Sequence, residues 1–170
     1  MKTCAFTGHR PKGLGYPESD GRCAALKEKL RSLIIRMIEE EGVTHFISGM
    51  AQGVDMYAAE IVLDLKQTYP YITLECAIPY EEQAAHWSAA LRNRYFSIAE
   101  RCDQETMLQT HYTQDCLWKR NQYMVDHADI VLAVCNMRLH SGSKQTVLMA
   151  RRRLKPVWLV FPDTLELYVI

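Results

Sequence analysis

No run in this chain comes near the ~20 consecutive apolar residues that cross a bilayer. The apolar start is broken at Gly8-His9-Arg10, too soon for a secretion signal. An excess of one charge is missing as well: 20 basic residues balance 20 acidic ones, so the net charge draws neither a membrane surface nor a nucleic acid. The six cysteines (Cys4, Cys23, Cys76, Cys102, Cys116, Cys135) contain no C-x-x-C pair. That argues against a zinc ribbon or a dithiol motif and fits small core residues in a reducing cytoplasm, the expected location. The six histidines include no H-E-x-x-H, and neither a metal nor a cofactor is expected. G-x-G-x-x-G is absent, which excludes an ordinary nicotinamide dehydrogenase. Gly8 and Gly13 have the spacing that opens a nucleoside-triphosphate phosphate loop, but Leu14-Gly15 stand where Lys and Ser or Thr are required. No serine sits in a nucleophile elbow.

What is present fits one domain over residues 1–170, with 48% hydrophobic and 24% charged residues, enough to bury an ordinary core. The stretch Thr44-His45-Phe46-Ile47-Ser48-Gly49-Met50-Ala51-Gln52-Gly53-Val54-Asp55 reads as a strand, a glycine turn and a helix with apolar positions at Val54, Tyr57, Ala58, Ile61 and Leu65. Glycine admits a close approach to the backbone, and the first amides of a helix have no internal partner, so the turn is a candidate anion cradle. Glycines that only let helix and strand pack closely are the competing reading.

Before it, Thr3 to Phe6 is a short strand ending in Thr7-Gly8-His9-Arg10-Pro11, and a helix capped by Ser19 or Asp20 carries Cys23, Leu26, Leu30, Leu33, Ile34, Met37 and Ile38 up to Gly42. After it come a strand over 71–78 and a long helix from about Glu81 to about Arg101. Residues 104–113 read as a short strand and a loop. A helix over 117–128, a strand over 130–135, a helix opened by Ser141-Gly142-Ser143 and a strand over 157–161 complete the pattern. The tail after about residue 162 is expected to be loosely attached. Apolar strands alternating with amphipathic helices predict an α/β fold with a mostly parallel sheet covered on both faces. The polar turns 7–10, 48–55, 79–87 and 136–146 all follow strands, so they converge on the rim where such sheets bind ligands.

Thr7-Gly8-His9-Arg10-Pro11, Ser48-Gly49-Met50-Ala51-Gln52-Gly53-Val54-Asp55, Pro79-Tyr80 with Gln83 and Trp87, and Arg120-Asn121 together resemble the bacterial YpsA-like family of the SLOG superfamily. The resemblance runs from about residue 1 to about residue 161 and implies a Rossmann-like three-layer fold. The superfamily includes cytokinin-activating phosphoribohydrolases (lysine decarboxylase-like proteins) and DNA-processing protein A, which implies a nucleotide-derived small molecule as partner. Where the superfamily has a Gly-Gly-x-Gly-Thr-like turn, this chain has Ser141-Gly142-Ser143-Lys144-Gln145-Thr146. The glutamate that phosphoribohydrolases place after that turn is missing from Thr146-Val147-Leu148-Met149-Ala150.

The expected ligand site is therefore Thr7, Gly8, Arg10, Ser48, Gly49, Gly53, Asp55, Gln83, Trp87, Arg120, Asn121, Ser141, Gly142, Ser143 and Thr146. Gly49, Gly53 and Ser48 would hold phosphate, and Asp55 ribose hydroxyls, unless its carboxylate merely favours the helix dipole. Arg10 would pair with phosphate, or solvate its loop. Trp87 would stack on a base, with Gln83 one helical turn before it, or pack against the neighbouring helix. Ser141 to Thr146 make a second anion site. Arg120 reads equally well as an exposed arginine, and Arg151, Arg152 and Arg153 as a solvated helix end. The function expected is nucleotide-ligand binding in a regulatory or sensing role. The alternatives are an N-glycosidase using Asp55, Glu81 or Glu82, and a DNA-binding protein, against which the zero net charge counts. Leu165, Leu167, Tyr168 and Ile170 hint at a protein partner or a homo-oligomer.

Overall fold

A computed structural model describes residues 1–170. Seven strands form one sheet: β1 (Lys2–Gly8), β2 (Val43–Ser48), β3 (Thr73–Ile78), β4 (Gln104–Met107), β5 (Ile130–Val134), β6 (Val157–Val160) and β7 (Leu167–Val169), in the order β4-β3-β2-β1-β5-β6-β7. All neighbours are parallel except β6 and β7. The connecting helices are α1 (Pro11–Leu14), α2 (Gly21–Glu39), α3 (Val54–Leu65), α4 (Ala89–Arg101), α5 (Cys116–His127) and α6 (Gly142–Arg152). This is the mostly parallel, three-layer Rossmann-like arrangement. The strand order reverses at β1, whose neighbours are β2 and β5.

Alternate residues of each strand feed two cores, as the pleat requires. Cys4, Phe6, Phe46, Leu74 and Leu132 join the core under α2, α3 and α4, while Ala5, Ile47, Ala77, Val131 and Ala133 join the core under α5 and α6. The α5–α6 side takes three alanines. All seven apolar positions expected on α2 are buried, each worth roughly 1.5–3 kcal/mol for a Leu, Ile or Met. Asp20 caps the helix by accepting from the Arg22 N–H at 2.8 Å, and Gly42 follows its end at φ 70°, where a Cβ is disfavoured.

Three details differ from the sequence expectation. The long helix starts at Ala89, where the Ser88 hydroxyl accepts from the Leu91 N–H at 3.3 Å, and the segment from Tyr80 to Trp87 is a series of turns. Gln83 and Trp87 therefore do not share a helical face. The loop after β1 contains the single turn α1. The tail is attached: β7 pairs antiparallel with β6 through Trp158↔Val169, Leu159↔Tyr168 and Val160↔Leu167, and Leu165 and Leu167 pack against the larger core. Half of the apolar surface that hinted at a partner is thus turned inward. No helix is long and apolar enough to cross a membrane.

Candidate functional site

A cleft of about 590 Å³ opens at the carboxyl ends of β1 and β5, where the strand order reverses. Its floor is Thr7 and Gly8, and one wall is Arg10, Lys12 and Gly13 with His9 beneath. Ala51 and Asp55 come from the central turn and α3, Leu117, Arg120 and Asn121 from α5, and Leu139 to Ser143 from the approach to α6. Of the residues expected from the sequence, Thr7, Gly8, Arg10, Asp55, Arg120, Asn121, Ser141, Gly142 and Ser143 meet here. Ser48, Gly49, Gly53, Gln83, Trp87 and Thr146 lie outside the cleft wall, as do Glu81 and Glu82.

Three amides of the central turn find acceptors within the protein. The Met50 N–H donates to the Ser48 hydroxyl at 3.2 Å, the Ala51 N–H to Asp55 Oδ2 at 3.3 Å, and the Val54 N–H to the His9 carbonyl at 3.3 Å. Ser48 in turn donates to the Asp55 carbonyl at 2.8 Å. The Gly49, Gln52, Gly53, Asp55 and Met56 N–H groups have no acceptor in the protein. Gly53 (φ 89°) faces protein: a Cβ there would stand 2.6 Å from the His9 carbonyl oxygen and 2.9 Å from the Arg10 Cα. A Cβ on Gly49 would stand 2.6 Å from the Arg120 guanidinium. Gly53 lets loop pack on loop, and Gly49 makes room for the Arg120 side chain of α5.

Arg120 is 5% exposed. It donates to the Gly49 carbonyl, to Gln83 Oε1 at 3.4 Å and to Asn121 Oδ1 at 2.9 Å, and Nη2 makes no bond. Gln83 is the brace behind the turn, donating to the Gly49 and Met50 carbonyls at 3.3 and 2.9 Å. It holds Met50 at φ 60°, a region that a side chain visits at some energetic expense. Trp87 packs edge-on against Tyr95, ring centroids 5.4 Å apart.

Asp55 is the centre of the site. It is 6% exposed, and Oδ1 is the one fully enclosed side-chain nitrogen or oxygen without a hydrogen-bond partner. Burial pushes its carboxyl up to about 6, against the opposing pull of Arg120, the Ala51 N–H and Arg10. The same burial lowers Arg120, opposed by Asp55, without approaching deprotonation of a guanidinium.

The N-terminus of α6 also lines the cleft. Ser141 accepts from the Lys144 N–H at 3.1 Å, leaving the Gly142 and Ser143 N–H groups without an acceptor in the protein. Thr146 spends its hydroxyl on the Gly142 carbonyl at 2.9 Å. The arrangement offers donors and positive charge to an anion at one end, a buried acceptor at the other, and the side chains of Leu117 and Leu139 between protein and solvent. Sequence reasoning missed Phe6, His9, Lys12, Gly13, Ala51, Leu117, Leu139 and His140. Of these, His9 and Ala51 carried a signal, since they stand within the motifs after the first and second strands.

Residues 4–157 match the YspA SLOG family (YpsA). The UPF0398 protein BH1768 of Halalkalibacterium halodurans is 30% identical over 173 residues, covering 98% of this chain and 91% of the relative. The UPF0398 protein YpsA of Bacillus subtilis is 27% identical over 177 residues, covering 99% and 97%. Among solved structures, TM1055 superposes with a TM-score of 0.58 at 16% identity, over 92% of this chain and 72% of that one. At that identity the likeness speaks for the fold alone.

Proposed function

The chain belongs to the YspA SLOG family, and on that premise we propose that it binds a nucleotide-derived ligand in the cleft beside β1 and β5, in a regulatory or sensing role. The observation that carries this reading is the unpartnered Asp55 Oδ1, buried in the wall of the cleft that also holds the open N-terminus of α6. A buried acceptor without a donor is unfavourable by about 1–3 kcal/mol, and a ligand hydroxyl relieves it. In this reading the phosphate lies on the Gly142 and Ser143 amides, with Arg10 and Lys12 beside it. The ribose donates to Asp55. Leu117 and Leu139 border the base, and Arg120 offers Nη2 to a ligand oxygen.

A second reading, hydrolysis of an N-glycosidic bond, is favoured by one feature: a carboxyl raised to about 6 exchanges protons readily near neutrality. A thermal-shift panel of AMP, ADP, ADP-ribose, NAD and cyclic dinucleotides separates the two when free base is quantified in the same tubes. A ligand at 100 times its Kd adds about 2.7 kcal/mol of stability. Stabilisation without base release supports binding alone. Base release that disappears in Asp55→Asn supports the glycosidase, and no stabilisation by any of them rejects both.

A further inference from the structure

His9 follows β1 and is 4% exposed, yet its ring lines the cleft. Its backbone N–H donates to the Val134 carbonyl at 3.2 Å, and its carbonyl accepts from the Val54 N–H at 3.3 Å. Ring Nε2 lies 2.8 Å from the Asn136 N–H, which donates to it. A backbone N–H can only donate, so Nε2 carries the lone pair and the proton of the neutral ring sits on Nδ1. Burial lowers the ring's pKa and so favours this neutral form. Nδ1 has no partner in the protein. Because Asp55 Oδ1 is the one enclosed polar side-chain atom left unpaired, the unbonded Nδ1 is not enclosed, and the cleft is what His9 borders. Gly13 leaves that edge uncovered: a Cβ there would come within 3.3 Å of Nδ1.

We propose that His9 is a ligand-binding residue that presents Nδ1–H, in a fixed tautomer, to an oxygen of the ligand beside the acceptor Asp55. The assignment rests on the nucleotide reading and narrows it. The bond from the Val54 N–H to the His9 carbonyl holds His9 against the residue that precedes Asp55. A neutral donor and a carboxylate, both buried and lining one cleft, suit a group that both accepts and donates, as a ribose does through its ring or ester oxygen and its hydroxyls. Arg10 and Lys12 attract any anion and are weakened by salt. The His9 donor recognises oxygen without regard to charge.

The test uses two substitutions that divide the ring's functions. In His9→Gln the amide oxygen reaches the place of Nε2 and still accepts from Asn136, but no donor stands at Nδ1. In His9→Asn the amide nitrogen stands near Nδ1 and Asn136 loses its acceptor. Calorimetry with AMP and ADP-ribose is expected to show His9→Gln melting near the wild type while binding about tenfold more weakly, in low and high salt alike. His9→Asn should melt earlier and keep more of the affinity. Ring nitrogen NMR of the wild type should show the Nδ1–H form at neutral pH. An Nε2–H or protonated ring, or equal affinity in His9→Gln, overturns the assignment. If neither nucleotide binds the wild type, the nucleotide reading has failed by itself. Ribose 5-phosphate then decides: movement of the His9 Nδ1–H resonance upholds the donor, and no movement overturns it.

Discussion

Asp55 and Arg120 reach one cleft from opposite layers of the fold, α3 and α5, and form no salt bridge. Arg120 is bonded to the Gly49 carbonyl, Gln83 and Asn121, and Asp55 to the Ala51 N–H. Two buried opposite charges thus influence each other across a gap rather than through a shared hydrogen bond. The gap keeps one carboxylate oxygen and one guanidinium nitrogen uncommitted.

The Asp55 carboxyl is raised from 3.8 to about 6 in the folded chain, so folding works against its ionisation. Stability contributed by the protonated form is present at low pH and is lost as pH rises through about 6. Asp55→Asn escapes this loss, amounting to up to about 3 kcal/mol at neutral pH. Chemical denaturation across the range should show the variant gaining on the wild type as pH rises. A constant difference would mean that the carboxyl titrates normally.

Gly53→Ala should destabilise the protein rather than spare it. The new methyl meets the His9 carbonyl in a left-handed backbone, an expected loss of about 1–3 kcal/mol or more. Urea melts measure it, and an unchanged midpoint would show that the two loops can part at no expense.

Glu75 anchors a second buried network at the far end of the sheet. Burial opposes its charge, but His45 at 2.7 Å, Tyr123 at 2.6 Å and Thr106 at 2.7 Å outweigh it and bring the carboxyl from 4.5 down to about 2. Its contribution is full above 4.5 and is lost as pH falls toward about 2. Glu75→Gln is expected to lower stability at pH 7 by up to about 3 kcal/mol and to matter little in strong acid. A penalty that does not shrink on acidification would contradict this.

Gln83→Ala and Trp87→Phe should part company. Removing the amide frees two carbonyls of the central turn and one contact to Arg120, an expected loss of about 1–3 kcal/mol. Any loss of ligand affinity would follow from the displaced Arg120. Trp87→Phe keeps an aromatic ring against Tyr95 and should leave ligand affinity unchanged in the same calorimetry. A selective loss of affinity in Trp87→Phe would place the indole in contact with ligand after all.

Strands β1, β2, β3, β5 and β6 were legible because continuous apolar runs leave few other choices, β7 was not, since its residues read as a loose tail, and α2 was legible in every buried position. The N-terminal part of the long helix was misread because Glu81, Glu82, Gln83 and Ala84 favour helix in isolation, whereas Gln83 is claimed by carbonyls 33 and 34 positions earlier. No local pattern reports such a distant partner. Asp55, Arg10 and the α6 turn could be named from strand–turn–helix spacing. That the central turn spends three of its amides within the protein depends on the His9 carbonyl and the Ser48 and Asp55 side chains arriving together. Arg120 was expected either at the ligand site or as an exposed arginine, and its burial could not be read because its acceptor, the Gly49 carbonyl, is invisible in sequence.

The central seam of the sheet joins Cys4–Gly8 to Ile130–Val134, and the Thr3 N–H reaches Asp129 across 126 positions. During synthesis the first strand must therefore wait, with one edge open, until most of the chain has emerged. Pairings of such long sequence separation form slowly and leave an unpaired edge at risk of aggregation meanwhile. A growing chain that already holds β1 to β4 lacks a wall of the cleft. Any ligand that acts through the cleft can therefore read only finished molecules and cannot guide the nascent chain.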